Sequence, residues 1–141
     1  MNPDQIAVIT RSFQEVVPVE DALAALFYGR LFTLEPSLRP MFGADMRTQG
    51  RKFREMLHLI VDSLHAHELL ARDLQACGEQ HRSYGVRAEH YAPVCAALLW
   101  ALQQALNERY TPDVAQAWAA LYHLIASAMQ GAPVPMLYHY P

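Results

Sequence analysis

The sequence has little of what would place it outside an ordinary helical domain. Its only two cysteines, Cys77 and Cys95, stand inside apolar helical stretches, whereas a small secreted scaffold carries a denser disulfide framework. Reduced, buried thiols are expected. No run approaches the roughly 18 consecutive apolar residues needed to cross a bilayer. The first residues lack the basic start, apolar middle and small-residue cleavage site of a secretory signal. No membrane is expected, and cytoplasm is the expected location. The six glycines form no G-x-G-x-x-G loop for a dinucleotide. A net charge of −3 predicts no basic surface of the kind that tracks phosphates, so nucleic acid is not an expected partner.

What is present is helix. The chain has 141 residues, 52% of them apolar, enough for one domain with its own core. Alternating β-branched runs and Asn-Gly or Asp-Gly turns are absent, which leaves no strand signal and predicts an all-α fold. Asn2 and Pro3 open a first helix with apolar positions Ile6, Ile9, Phe13 and Val17, ending at Pro18. Glu20 and Asp21 open a second, carrying Leu23, Phe27, Tyr28, Leu31 and Phe32. Pro36 and Pro40 allow only a short helical turn before Phe42. After a polar connector, Gly43 to Thr48, the pattern Phe53, Met56, Leu57, Ile60, Val61 and Leu64 runs to His65. A shorter helix is predicted from about Glu68 to Arg82, followed by Gly85 as a stop. Two long helices follow, Ala88 to Glu108 and Pro112 to Gln130, the latter capped by Thr111. Residues 1–130 therefore form one domain, and 131–141, with three prolines, form a tail.

His81 ends the apolar stripe Leu70, Leu74 and Cys77, which helical spacing places on the buried side. A buried imidazole needs a partner. One reading is a core histidine bonded to a carbonyl. The other is a metal ligand, with the second ring nitrogen bonded to the Cys77 carbonyl one turn back. The spacing of Cys77 and His81 also suits zinc, but no further ligands stand nearby in sequence.

Four blocks bear on this choice. The segment HRSYGVRAEHYAPVCAALL, 81 to 99, resembles the stretch of bacterial globins and flavohaemoglobins that begins at the proximal histidine. LFYGRLFTLEPSLRPMF, 26 to 42, resembles the region of their distal tyrosine and of the phenylalanine packed on the haem. QGRKF at 49 to 53 is similar to the start of their distal helix, and AWAALY at 117 to 122 to the core of their last helix. The order is right, and the resemblance covers about residues 5 to 130. It implies a globin fold of six to eight helices around a buried haem b whose iron is held by His81.

The resemblance assigns roles residue by residue. Tyr28 matches the distal tyrosine and Gln49 the polar residue of the distal helix. Such donors in a dry pocket stabilise negative charge on a bound gas and slow its release, giving high oxygen affinity. A one-turn shift of the distal helix would instead bring Lys52 or Phe53 to the gas, and Tyr28 could be a core aromatic or Gln49 a solvated residue. Phe53 is four residues beyond Gln49 and shares its face. Phe42 packs on the porphyrin, Tyr91, Val94 and Leu98 line the proximal side, and Met56, Ile60 and Ile125 wall the pocket. For all of these, plain core packing is an equal alternative. Lys52, the only lysine of the chain, could meet a haem propionate or stay solvated. His58, about 180° round the helix from Gln49, faces away and is a poor sixth ligand. His65, His67 and His139 read as solvated, and His90 and His123 have no assigned role.

The implied function is reversible binding of O2, NO or CO at ferrous iron, in oxygen supply or nitric oxide detoxification. The resemblance leaves open a nitric oxide dioxygenase activity fed by an external reductase, a gas sensor, and a non-haem helical bundle that binds a partner or ligand. In flavohaemoglobins a glutamate of the final helix faces the proximal histidine. Here Pro133 stands at about that place, which predicts a neutral proximal imidazole with weaker push on iron. Resonance Raman spectra of the ferrous protein should show an iron–histidine stretching frequency below that of flavohaemoglobins. An equally high frequency overturns the expectation.

Overall fold

The computed structural model describes residues 1–43, 45–64, 74–76, 78–79 and 87–130. Among them the structure is helical with no strand. Helix α1 spans Pro3–Val16, α2 Glu20–Leu34, α3 Met46–Asp62, α4 Tyr91–Leu106 and α5 Pro112–Met129, with 3-10 turns at Val17–Val19, Pro36–Met41, Ala88–His90 and Asn107–Arg109. Residues 74–76 and 78–79 are also helical. The remainder of the expected Glu68 to Arg82 helix, with Cys77 and His81, lies outside the described residues. So do His65, His67 and the tail at 131–141.

The helix ends follow local chemistry. The Asn2 side chain accepts from the Gln5 N–H at 2.8 Å while Gln5 returns the bond to the Asn2 N–H at 3.1 Å, a reciprocal cap ahead of Pro3. Thr111 caps α5 through the Val114 N–H at 3.4 Å. The polar connector of the sequence reading ends earlier than expected. Asp45 accepts from the Arg47 N–H at 3.0 Å and the Thr48 hydroxyl at 2.8 Å, so α3 already begins at Met46. These bonds to its ionised form hold the Asp45 carboxyl below the usual range. The single long helix expected from Ala88 to Glu108 is a 3-10 turn, an α-helix and a second 3-10 turn. It closes at Asn107, whose φ of 51° only Gly, Asn and Asp adopt readily.

One core joins the helices. Helix α2 lies across α4 in the broadest contact, and α1 packs on α5. Trp118, 1% exposed, donates through its indole N–H to the Ser12 hydroxyl at 2.9 Å, and Ser12 donates to the Val8 carbonyl at 2.7 Å. A polar pair is thus carried into the interior with its bonds made. Gly78 is pressed onto the end of α5: a Cβ built on it would stand 1.9 Å from the Met129 carbonyl oxygen, so only glycine permits the approach. Cys95 is a free thiol, half-buried rather than fully buried.

The Ser12 and Trp118 pair makes a checkable contribution. Ser12→Ala leaves the buried indole N–H without an acceptor, which costs about 1–3 kcal/mol. Urea denaturation should show a lower midpoint with an unchanged slope. In a Trp118→Phe background the same serine change should cost markedly less; an equal cost in both backgrounds removes the hydrogen bond from the account.

Candidate functional site

Tyr28 is the centre of the site. It lies midway along α2 and is 8% exposed. Its ring meets Phe42 edge-on at 5.4 Å and Phe53 edge-on at 5.9 Å, and stacks on Phe32 at 5.9 Å. Phe53 in turn stacks on Phe27 at 4.5 Å. Three elements converge here: α2, the residue following the Pro36–Met41 turn, and α3. Three of the residues singled out from sequence, Tyr28, Phe42 and Phe53, are brought into one aromatic cluster.

The Tyr28 hydroxyl donates to the Gln49 backbone carbonyl at 3.3 Å. Burial pushes its pKa from the ordinary 10.0 up to about 12, because the phenolate would lose its hydration without gaining a charged partner. The phenol therefore remains a donor from neutral pH well above its ordinary 10.0. Gln49 thus meets Tyr28, but through its main chain. Its side-chain amide nitrogen lies beside Gly43, 3.5 Å from where a Cβ on that residue would stand.

The remaining sequence candidates are placed as follows. Met56, Tyr91, Val94 and Ile125, like Phe42 and Phe53, pack against the core but are only half-buried; Leu98 and Ile60 are buried. Lys52 is exposed on α3. His58 faces away, as the helical angle implies: its Nε2 is 2.7 Å from Glu20 and its ring meets Phe13 edge-on at 4.8 Å. His81 lies outside the described residues, and among those described no three His, Cys, Asp or Glu side chains gather to hold a metal.

Sequence reading missed two residues. His90 is buried, and its Nδ1 accepts the Arg87 N–H at 3.0 Å, closing the turn before α4. A histidine three residues beyond an exposed arginine gives no periodic signal. The Tyr122 hydroxyl donates to the Tyr91 carbonyl, which ties α5 to the first residue of α4 and so fixes the proximal candidate Tyr91. Burial raises the Tyr122 pKa as well.

The globin family model matches residues 25–129. This chain belongs to the globin family. The flavohemoprotein of Bordetella pertussis is 29% identical over 135 residues, which cover 93% of this chain and 33% of that protein. The flavohemoprotein of Chromobacterium violaceum is 32% identical over 114 residues, 78% of this chain and 28% of its own length. The globin thus spans about a third of these relatives. The solved bacterial globin of Campylobacter jejuni superposes with a TM-score of 0.69 at 26% identity, covering 88% of this chain and 90% of its own. Membership implies haem and a gas ligand.

The residues present fit such a group. Phe42, Phe53, Met56, Tyr91, Val94 and Ile125 hold one side against the core and keep apolar surface on the other, which suits a flat, largely apolar macrocycle. Among the described histidines, His58 is engaged by Glu20 and His90 by the Arg87 N–H, and His123 is exposed on α5. No helix of the described residues is long and apolar enough to cross a membrane.

The raised phenol fixes the sign of a pH effect. Between about pH 10 and 12 the unfolded chain releases the Tyr28 proton and the globin keeps it. The unfolded state then binds fewer protons, so stability is complete below about pH 10 and declines as pH rises. Tyr28→Phe should flatten part of that decline in denaturation measured at successive pH values. Tyr122 should retain the rest. An alkaline profile identical to the parent's would mean that Tyr28 ionises normally.

Proposed function

We propose that this globin binds oxygen, and with it nitric oxide or carbon monoxide, at a haem b held by His81 within a single domain over residues 1–130. The observation that carries the reading is the Tyr28 phenol. It is walled by Phe27, Phe32, Phe42 and Phe53 and retains its proton to about pH 12. When bound, haem iron supplies an open coordination position at which a diatomic gas is held.

The chain's own residues do the rest. At 3.3 Å the Tyr28 bond to the Gln49 carbonyl is longer than the roughly 2.7–2.8 Å usual for a hydroxyl donor. The O–H is therefore lightly committed and free to turn toward a more negative acceptor. In an apolar enclosure that bond is stronger than in water. Phe42 and Phe53 cover edges of the Tyr28 ring. The Gln49 amide, on the same helix, is a second donor within reach of a side-chain rotation. His81 would hold the metal through one ring nitrogen. High oxygen affinity follows from this arrangement.

The same site supports nitric oxide detoxification as well as oxygen supply. One nitric oxide, one oxygen molecule and one electron make one nitrate, and the electron comes from an external reductase. The flavohemoprotein relatives favour the electron-donating partner in this reading.

The purified protein should show a Soret band that His81→Ala abolishes or shifts. In the loaded protein Tyr28→Phe should speed oxygen release at least several-fold, with Gln49→Leu having a smaller effect. A folded product that stays colourless when offered hemin ends the proposal, and unchanged release in both variants removes the two donors from it.

A further inference from the structure

The overall charge of −3 conceals an uneven distribution. Residues 39–54 hold Arg39, Arg47, Arg51, Lys52 and Arg54 against the single acid Asp45, a net of four positive charges, so the rest of the chain carries −7. The structure gathers three of these residues. Arg39, Arg47 and Arg54 line an open cleft of about 740 Å³ together with Asp21 and a mostly apolar set that includes Ala24, Tyr28, Phe32 and Met46. Arg51 and Lys52 follow on α3, both exposed.

Few of these charges are used within the chain. Arg47 and Lys52 form no ion pair among the described residues. The Arg51 pair with Glu55, at 3.8 Å between exposed side chains, is worth little. Only Arg54 is held closely, by Asp21 at 3.1 Å, and Arg39 lies over the Phe32 ring at 5.2 Å. An open apolar floor rimmed by arginine, with methionine and an aromatic ring, has the composition of a protein interface.

We propose that this face, from Arg39 to Arg54, docks an acidic electron-donor protein, the reductase that the proposed function requires. The inference rests on that reading and adds where the donor binds and what its surface must be. Charge complementarity decides the occupant. A compact acidic face meets the arginines of the cleft, while the net −7 of the rest of the chain disfavours approach elsewhere and so orients the encounter. A long polyanion or an anionic bilayer would meet that same repulsion beyond the patch. Tyr28 forms part of the cleft floor and part of the aromatic cluster. A partner seated here is one aromatic ring from the candidate gas site.

The single lysine makes the test direct. With an acidic flavodoxin as probe and a carbodiimide as coupling agent, its carboxylates should link to Lys52 in preference to the N-terminal amine, as mapped by mass spectrometry of the haem-loaded protein. The yield should fall several-fold in about 0.5 M salt, where screening shortens to a few ångströms. It should fall similarly in Arg47→Glu with Arg51→Glu, and stay unchanged in Arg109→Glu. Reduction of the loaded protein by reduced flavodoxin should slow about tenfold in the double variant, and reduction by dithionite should not. Equal linkage at the N-terminal amine, or a yield indifferent to salt and to the double reversal, overturns the inference. Preferential capture by phosphatidylglycerol vesicles overturns it too. If haem or gas binding failed while the Lys52 linkage persisted, the proposed function would fall and the docking face would stand.

Discussion

The arrangement depends on how closely α2 can lie against α3. Ala24 and Gly50 stand at that contact. A methyl built on Gly50 would already lie 3.7 Å from the Ala24 Cβ, which is ordinary van der Waals distance. Small residues let two helix backbones approach. Tyr28, four residues beyond Ala24, occupies the same face one turn along, and its hydroxyl then meets the carbonyl of Gln49, the residue before Gly50. A bulky side chain at either small position would separate the helices and with them the phenol and its acceptor.

The aromatic cluster and the raised Tyr28 pKa follow from that approach. Once α3 is close, Phe53 reaches Phe27 and Tyr28, and Phe42 closes the remaining edge. The ring is then buried, and desolvation holds the proton on oxygen. One packing decision thus sets the position of the phenol and its protonation state. On the other side of the molecule, Tyr122 does for α4 what Tyr28 does for α3, spending a buried hydroxyl on a backbone carbonyl of a neighbouring helix.

The polar α3 surface serves a different purpose. Asp45 fixes where the helix starts, and the arginines that follow project from its first turns. Alternation within one helix separates the roles: Phe53 turns inward to the cluster while Arg51 and Lys52, its near neighbours, remain in solvent. A single helix can therefore wall a pocket and present a charged face without conflict.

The sequence alone determined that the chain is helical and where α1, α2 and α5 begin; Tyr28, Phe42 and Phe53 were singled out by resemblance, and the fold brings them into one aromatic cluster. Periodicity, proline placement and caps are local properties that survive without tertiary context. It also determined that His58 turns away, because nine residues of helix fix an angle. The tertiary structure decided what no local pattern encodes. The turns before and after α4 arise from a His90 to Arg87 bond and from Asn107. Gln49 meets Tyr28 through its main chain, because helix packing set the phenol beneath that carbonyl before any side chain could compete. The run of cations from Arg39 to Arg54 was legible in the sequence, but only the fold sets Arg39, Arg47 and Arg54 around one cleft, since a charge count keeps no record of which side chains meet.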